Sequence, residues 1–253
     1  MVVTATAAVD LPSVMQTVLL VMAAFGAAVL SAVTGFGGGV LLLAVCIAVL
    51  GPRNAVVVVT IAQLASNGGR AWFNRAEIDY RLAGVFCIGA VPGAVGGALL
   101  LISTPVDILA RIIGGFLLAM VLWRHLSPAT ARVPVPVFVG VGAVAGVGSG
   151  LLGSLGPLVA QLFLARGLVR GAYIGTDAAA TLIMHVTKLV VYAVTAVLNA
   201  TNLLVGLVLA PSSIAGSWAG KQIVDRISAT VFVLIVELAL VTFGIALLIG
   251  GEL

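Results

Sequence analysis

Ten apolar stretches divide this chain, separated by single charges, prolines and glycine clusters: 13–33, 39–50, 54–71, 82–102, 107–125, 134–150, 156–166, 172–198, 203–220 and 229–250. A helix needs roughly 20 apolar residues to cross about 30 Å of hydrocarbon. Eight of the ten stretches are long enough to span. The other two, 39–50 and 156–166, follow glycine-rich runs and read as tilted short spans or as the second arms of re-entrant hairpins. Of the 253 residues, 62% are apolar and 8% charged, whereas an ordinary soluble domain carries about 25% charged residues. A water-soluble globule of this length could not hide so much apolar surface. Soluble enzymes and disordered chains are thereby excluded. The net charge of +4 comes from basic residues scattered singly, which builds no nucleic-acid patch. The expected fold class is an all-α polytopic membrane protein.

Short cytoplasmic loops are enriched in Lys and Arg. Segments 13–50 and 134–166 each contribute an even number of crossings whether their short arms cross or turn back. Arg70, Arg75, Arg81, Arg124, Arg132, Arg166, Arg170, Lys221 and Arg226 then fall on one face, and only Arg53 and Arg111 on the other. The expected topology has both termini outside a plasma membrane, with the first apolar stretch retained as a span because no positive region precedes it. Cys46 and Cys87 lie in apolar runs without ligand spacing and read as core residues.

The order long, short, long, long, long occurs twice, once in about 13–125 and again in about 134–250. A shift of 118 residues sets Gly35 on Gly153, Gly38 on Gly156, Gln63 on Thr181, Asn67 on His185 and Arg70 on Lys188. With five segments per half, an odd number, the two repeats are expected to be inverted relative to one another. Such repeats, with helices broken at corresponding positions, are a transporter plan whose substrate site lies near the midplane. The link Ser127–Pro136 is too short to fold separately, so the chain reads as a single transmembrane domain.

Gly89, Gly93, Gly96 and Gly97 read as close helix packing. The runs Thr34-Gly-Phe-Gly-Gly-Gly39 and Gly148-Ser-Gly-Leu-Leu-Gly-Ser-Leu-Gly-Pro157 are different, because they cannot be good uninterrupted helix. Freed N–H groups are costly in lipid unless they face protein, water or an anion, and a helix N-terminus offers them with a positive dipole end. Gly37, Gly38, Gly39, Ser154 and Gly156 are therefore candidate anion ligands.

Ionisable groups at bilayer depth are functional candidates. Asp177, Thr181, His185, Lys188, Tyr192, Thr195 and Asn199 recur at spacings of three and four, on one helical stripe. Gln63 and Asn67, with Thr60 and Ser66, form its counterpart in the first half. Each has a plainer reading as well: Lys188 as ion-pair partner of Glu237, His185 as an ordinary hydrogen-bonded residue, Tyr192 as an interface anchor. Lys188 and His185 suit an anionic substrate, and Asp177 or His185 suits proton coupling, since histidine titrates in the physiological range. No metal, phosphate-loop or nucleophile–base pattern stands out, and Val147-Gly-Ser-Gly150 lacks the first glycine of the serine motif of rhomboid proteases. No cofactor is expected.

TGFGGGVLLLAV at 34–45 and GLLGSLGPLVAQLFLARGL at 150–168 resemble the paired glycine-rich signatures of the TauE/SafE family of membrane permeases. The stretches 51–67 and 175–192 resemble the helices that follow those signatures. One departure is visible: no proline stands between Gly39 and Pro52. The resemblance implies transport of sulfur-containing anions such as sulfite and organosulfonates. Gln63, Asn67, Thr181 and His185 are then expected to supply donors and Lys188 charge, with export by alternating access. The alternatives are a proton-coupled uptake permease and a passive anion channel. Lipid, the anion and coupling protons are the expected partners.

Overall fold

The computed structural model describes residues 11–35, 37–126, 134–168 and 170–223, with 241, 245, 248 and 249 besides. Among these every regular element is an α-helix. In chain order they are α1 (Val14–Thr34), α2 (Gly38–Leu50), α3 (Pro52–Phe73), α4 (Tyr80–Ser103), α5 (Val106–Leu126), α6 (Val137–Leu152), α7 (Gly156–Ala165), α8 (Arg170–Val194) and α9 (Ala200–Ile223). By length and composition, α1, α4, α8 and α9 are fit to cross a membrane. Most of the expected span 229–250, Glu237 within it and most of the link 127–136 lie outside the described residues.

Local chemistry accounts for the breaks. Ser13 and Gln16 form a reciprocal capping box that starts α1, and Pro52 starts α3 at a position where a missing N–H costs nothing. α1 stops at Gly35 and α6 at Gly153, both at φ 83°, a left-handed conformation that glycine adopts without steric cost. The expectation for 134–150 needs correction. α6 has 16 residues, too few for the full span expected there. Pro134 and Pro136 hold a turn ahead of Val137, and the left-handed Gly153 ends the helix. The expected polar stripe is also shorter, because α8 ends at Val194 and Ala196 takes a φ of 58°. Asn199 instead accepts a hydrogen bond from the Asn202 N–H at 2.8 Å, near the start of α9.

α4 and α6 make the most extensive helix contact, followed by α1 with α9. Lipid tails supply no hydrophobic drive between helices, so close packing of small residues must hold them. A side chain at Gly89, Gly93 or Gly97 would overlap backbone of α6, and one at Gly142, Gly146 or Gly150 would overlap backbone of α4. Gly216 and Gly220 bear on α1 in the same way. Among the described residues nothing packs against Gly96. α3 and α8 pack against each other, with α9 on α3 and α4 on α8.

Candidate functional site

The two helix breaks meet α3 and α8 in the interior. Behind each break lie the carbonyl groups that the last turn of a helix leaves without intrahelical partners. In the first half Arg70, on α3, donates from Nη1 to the carbonyls of Ser31 (3.2 Å) and Gly35 (3.1 Å). In the second half Lys188, on α8, donates from Nζ to the carbonyls of Ser149 (3.1 Å) and Gly153 (3.0 Å), and to the Ser149 hydroxyl (3.0 Å). In both halves the cation reaches back 39 and 35 residues. A cation at a helix C-terminus also meets the negative end of its dipole.

Ahead of the breaks, the first turns of α2 and α7 border one small cavity of about 30 Å³. Gly37, Gly39, Gln63, Asn67, Ser154, Gly156, Asp177, Thr181 and His185 all line it. These are nine of the candidates singled out in the sequence, drawn from both halves. A side chain at Gly39 would meet the Gln63 amide and stand 2.6 Å from the Ser154 hydroxyl, so this glycine is what lets α2 approach α7.

Two candidates sit elsewhere. Gly38 packs on α1, where a side chain would overlap the Ala27 carbonyl. Lys188 is fully buried with its ammonium held by the α6 terminus, and it does not line the cavity. Tyr192 likewise faces α6, donating to the Gly150 carbonyl at 2.8 Å. The α8 stripe is thus divided, with Asp177, Thr181 and His185 toward the cavity and Lys188 and Tyr192 toward α6.

Arg70 is the site residue the sequence reading left out. Counted among the basic residues of one membrane face, it is 5% exposed and lines the cavity. Besides its two carbonyls it bonds the Asn67 side-chain oxygen through Nη2, and its Nη1 stands 3.5 Å from Asp177 Oδ2. The signal for it was its place on Lys188 under the 118-residue shift, one turn beyond Asn67. Ser31, Gly35, Ser149, Leu155, Val159 and Met184 complete the wall.

Arg70 also borders a larger vestibule lined by Thr34, Asn74, Glu77, Tyr173 and Lys221 among others. The Tyr173 hydroxyl lies 3.5 Å from the Thr34 carbonyl, and its ring fills the space beside Gly35. On another side, Leu43 and Val56 pack toward Gly153 and belong to a buried apolar cluster with Val57, Leu152, Val205 and Leu209. No group of three or more metal-ligating side chains occurs among the described residues.

No curated protein and no solved structure matches this chain. The model of the family described as sulfite exporter TauE/SafE matches residues 20–247, nearly the whole length. The duplicated glycine breaks and the buried polar residues behind them fall within that match, and the chain belongs to the TauE/SafE family of membrane transporters.

Proposed function

We propose that the protein is a secondary carrier exporting a small anion, sulfite or an organosulfonate, across the plasma membrane by alternating access. One observation carries this reading: the first turns of two broken helices border a single cavity that also contains Arg70 and neutral donors from both halves. Helix N-termini present N–H groups and positive dipole ends to an anion. The oxygens of a sulfite or sulfonate head accept several such donors at once. Gln63, Asn67 and Ser154 supply side-chain donors, Thr181 lines the wall with its hydroxyl turned back to the Asp177 carbonyl, Arg70 supplies charge, and Lys188 acts from behind by holding the α6 terminus.

The two halves are proposed to be oppositely oriented repeats, each counting five segments. The matched reach of Arg70 and Lys188 supports the repeat, as does the pairing of α4 with α6 and of α9 with α1. Inverted repeats rocking about a midplane site give alternating access. In the orientation favoured by the basic residues, both termini are extracytoplasmic and the vestibule containing Lys221 faces the cytoplasm. The apolar cluster around Leu43 and Val56 favours a carrier over an open channel. No enzymatic step and no cofactor is part of the proposal.

A carboxylate in the cavity favours a second reading, proton-coupled uptake, with Asp177 or His185 as the proton site. Reconstitution into liposomes separates these readings. The expected result is saturable flux of radiolabelled sulfite, accelerated by sulfite on the opposite side. Flux that a proton gradient drives only inward would establish uptake. Flux no greater than in empty liposomes, or ionic currents at channel rates, would refute the carrier.

A further inference from the structure

We infer that the ligand of this cavity is an oxyanion that carries its own O–H or N–H, clamped by Arg70 on its anionic oxygens and by Asp177 on its donor. The inference rests on the anion-carrier reading and narrows the class of anion.

It starts from three buried atoms. Arg70 Nε, Asp177 Oδ1 and His185 Nδ1 have no hydrogen-bond partner. Their residues are 5%, 2% and 4% exposed, and all three line the one cavity. Buried polar groups are nearly always paired, because leaving one unmet forfeits its hydration. Here two of the unmet needs are opposite in kind. Guanidinium is a donor only, and an ionised carboxylate is an acceptor only. Arg70 Nε therefore calls for an acceptor and Asp177 Oδ1 for a donor.

Neither residue meets the other's need by turning. Arg70 is tethered through Nη1 to the Ser31 and Gly35 carbonyls and through Nη2 to Asn67. Its contact with Asp177 already uses the other carboxylate oxygen, Oδ2, at 3.5 Å. An oxyanion without a donor would satisfy Arg70 but leave Oδ1 unmet and set like charges side by side. A plain cation would face Arg70. A singly charged oxyanion head whose own chain bears a hydroxyl or ammonium group, as in a hydroxyl-bearing monoanion or an ammonium-bearing zwitterion, satisfies both at once.

The surrounding charges agree. Arg70 and Asp177 cancel formally, so the remaining positive field is that of the α2 and α7 termini, which suits a single negative charge better than two. Lys188 directs its ammonium to α6 carbonyls. Glu77 and Lys221 lie out in the vestibule. His185 Nδ1 can accept or donate according to its tautomer and so accommodates either orientation of the ligand. The chemical class is hydrogen sulfite, or a short alkanesulfonate with a hydroxyl or amino group near the sulfonate.

Calorimetric titration of the purified full chain with a matched series tests this. Isethionate and taurine each differ from propanesulfonate by a hydroxyl or ammonium group in place of a methyl. The donor-bearing sulfonates are expected to bind about tenfold or more tightly than propanesulfonate, the scale of a hydrogen bond to a buried charge. Asp177→Ala should bring the ratio close to one while propanesulfonate binds no worse. Should that variant fail to fold, the wild-type series decides alone. Equal affinities, or a preference for propanesulfonate, would overturn the clamp and leave the anion carrier standing. Binding of none of these, nor of sulfite, would bring down the carrier reading itself.

Discussion

Replacing Lys188 with methionine separates a structural cation from a ligand. The ammonium is fully buried and serves three acceptors: the Ser149 carbonyl, the Ser149 hydroxyl and the Gly153 carbonyl. In Lys188→Met the Ser149 carbonyl keeps the Gly153 N–H at 3.0 Å, so the loss falls on the Gly153 carbonyl and the Ser149 hydroxyl. A buried acceptor left without its donor costs about 1–3 kcal/mol. Methionine fills a similar volume, which keeps the packing term small, and removing a buried charge returns part of its desolvation. The net expectation is about 2 kcal/mol, a fall in Tm of about 4–8 °C for a chain of this size. The assay is a ligand-free thermal melt of the purified protein beside a calorimetric titration with sulfite. Because Lys188 does not line the cavity, sulfite affinity should remain close to wild type. An unchanged Tm with affinity lost would refute this reasoning and make the ammonium a direct ligand.

Arg70 borders the cavity, so Arg70→Gln should weaken sulfite binding by about tenfold to a hundredfold in the same titration, the worth of a hydrogen bond to a charged group. Gly39→Ala would set a methyl 2.6 Å from the Ser154 hydroxyl and against the Gln63 amide, so it should lower the Tm as overpacking does and, by narrowing the cavity, slow flux into liposomes. In Gly146→Ala the new methyl would meet α4 backbone, with the Ala94 nitrogen 2.7 Å away, and overpacking of that kind lowers stability by about 1–3 kcal/mol, read as a lower Tm. Under the 118-residue shift the vestibule residue Leu164 falls on Cys46, which is buried here. In a Cys87→Ala background, a membrane-impermeant maleimide added outside should label Cys46 during turnover. A Cys46 that stays unlabelled while sulfite moves would count against rocking of the two halves.

Helix positions and breaks were legible in the sequence because they depend on local chemistry. Apolar length makes the helices, and left-handed glycines at 35 and 153 stop two of them. The 118-residue shift marked the equivalent positions, and nine of the candidates that the glycine-rich runs, the shift and the polar stripe pointed to border one cavity. Less legible were the limits of α6 and of the α8 stripe, where prolines and a left-handed Ala196 outweigh a continuing apolar pattern.

The sequence by itself could not rank Arg70 against Lys188. Both are single cations at the same step of their helices, and both hold the carbonyls of a broken helix. Only the tertiary structure decides between them: one chain in one conformation must pack its two halves differently. Lys188 spends its ammonium on three acceptors of α6, whereas Arg70, with a broader fork, holds α1 and still faces Asn67, Asp177 and the cavity. Periodicity marks which residues share a stripe, but the neighbouring helix that takes each side chain is a long-range contact, and no local pattern encodes it.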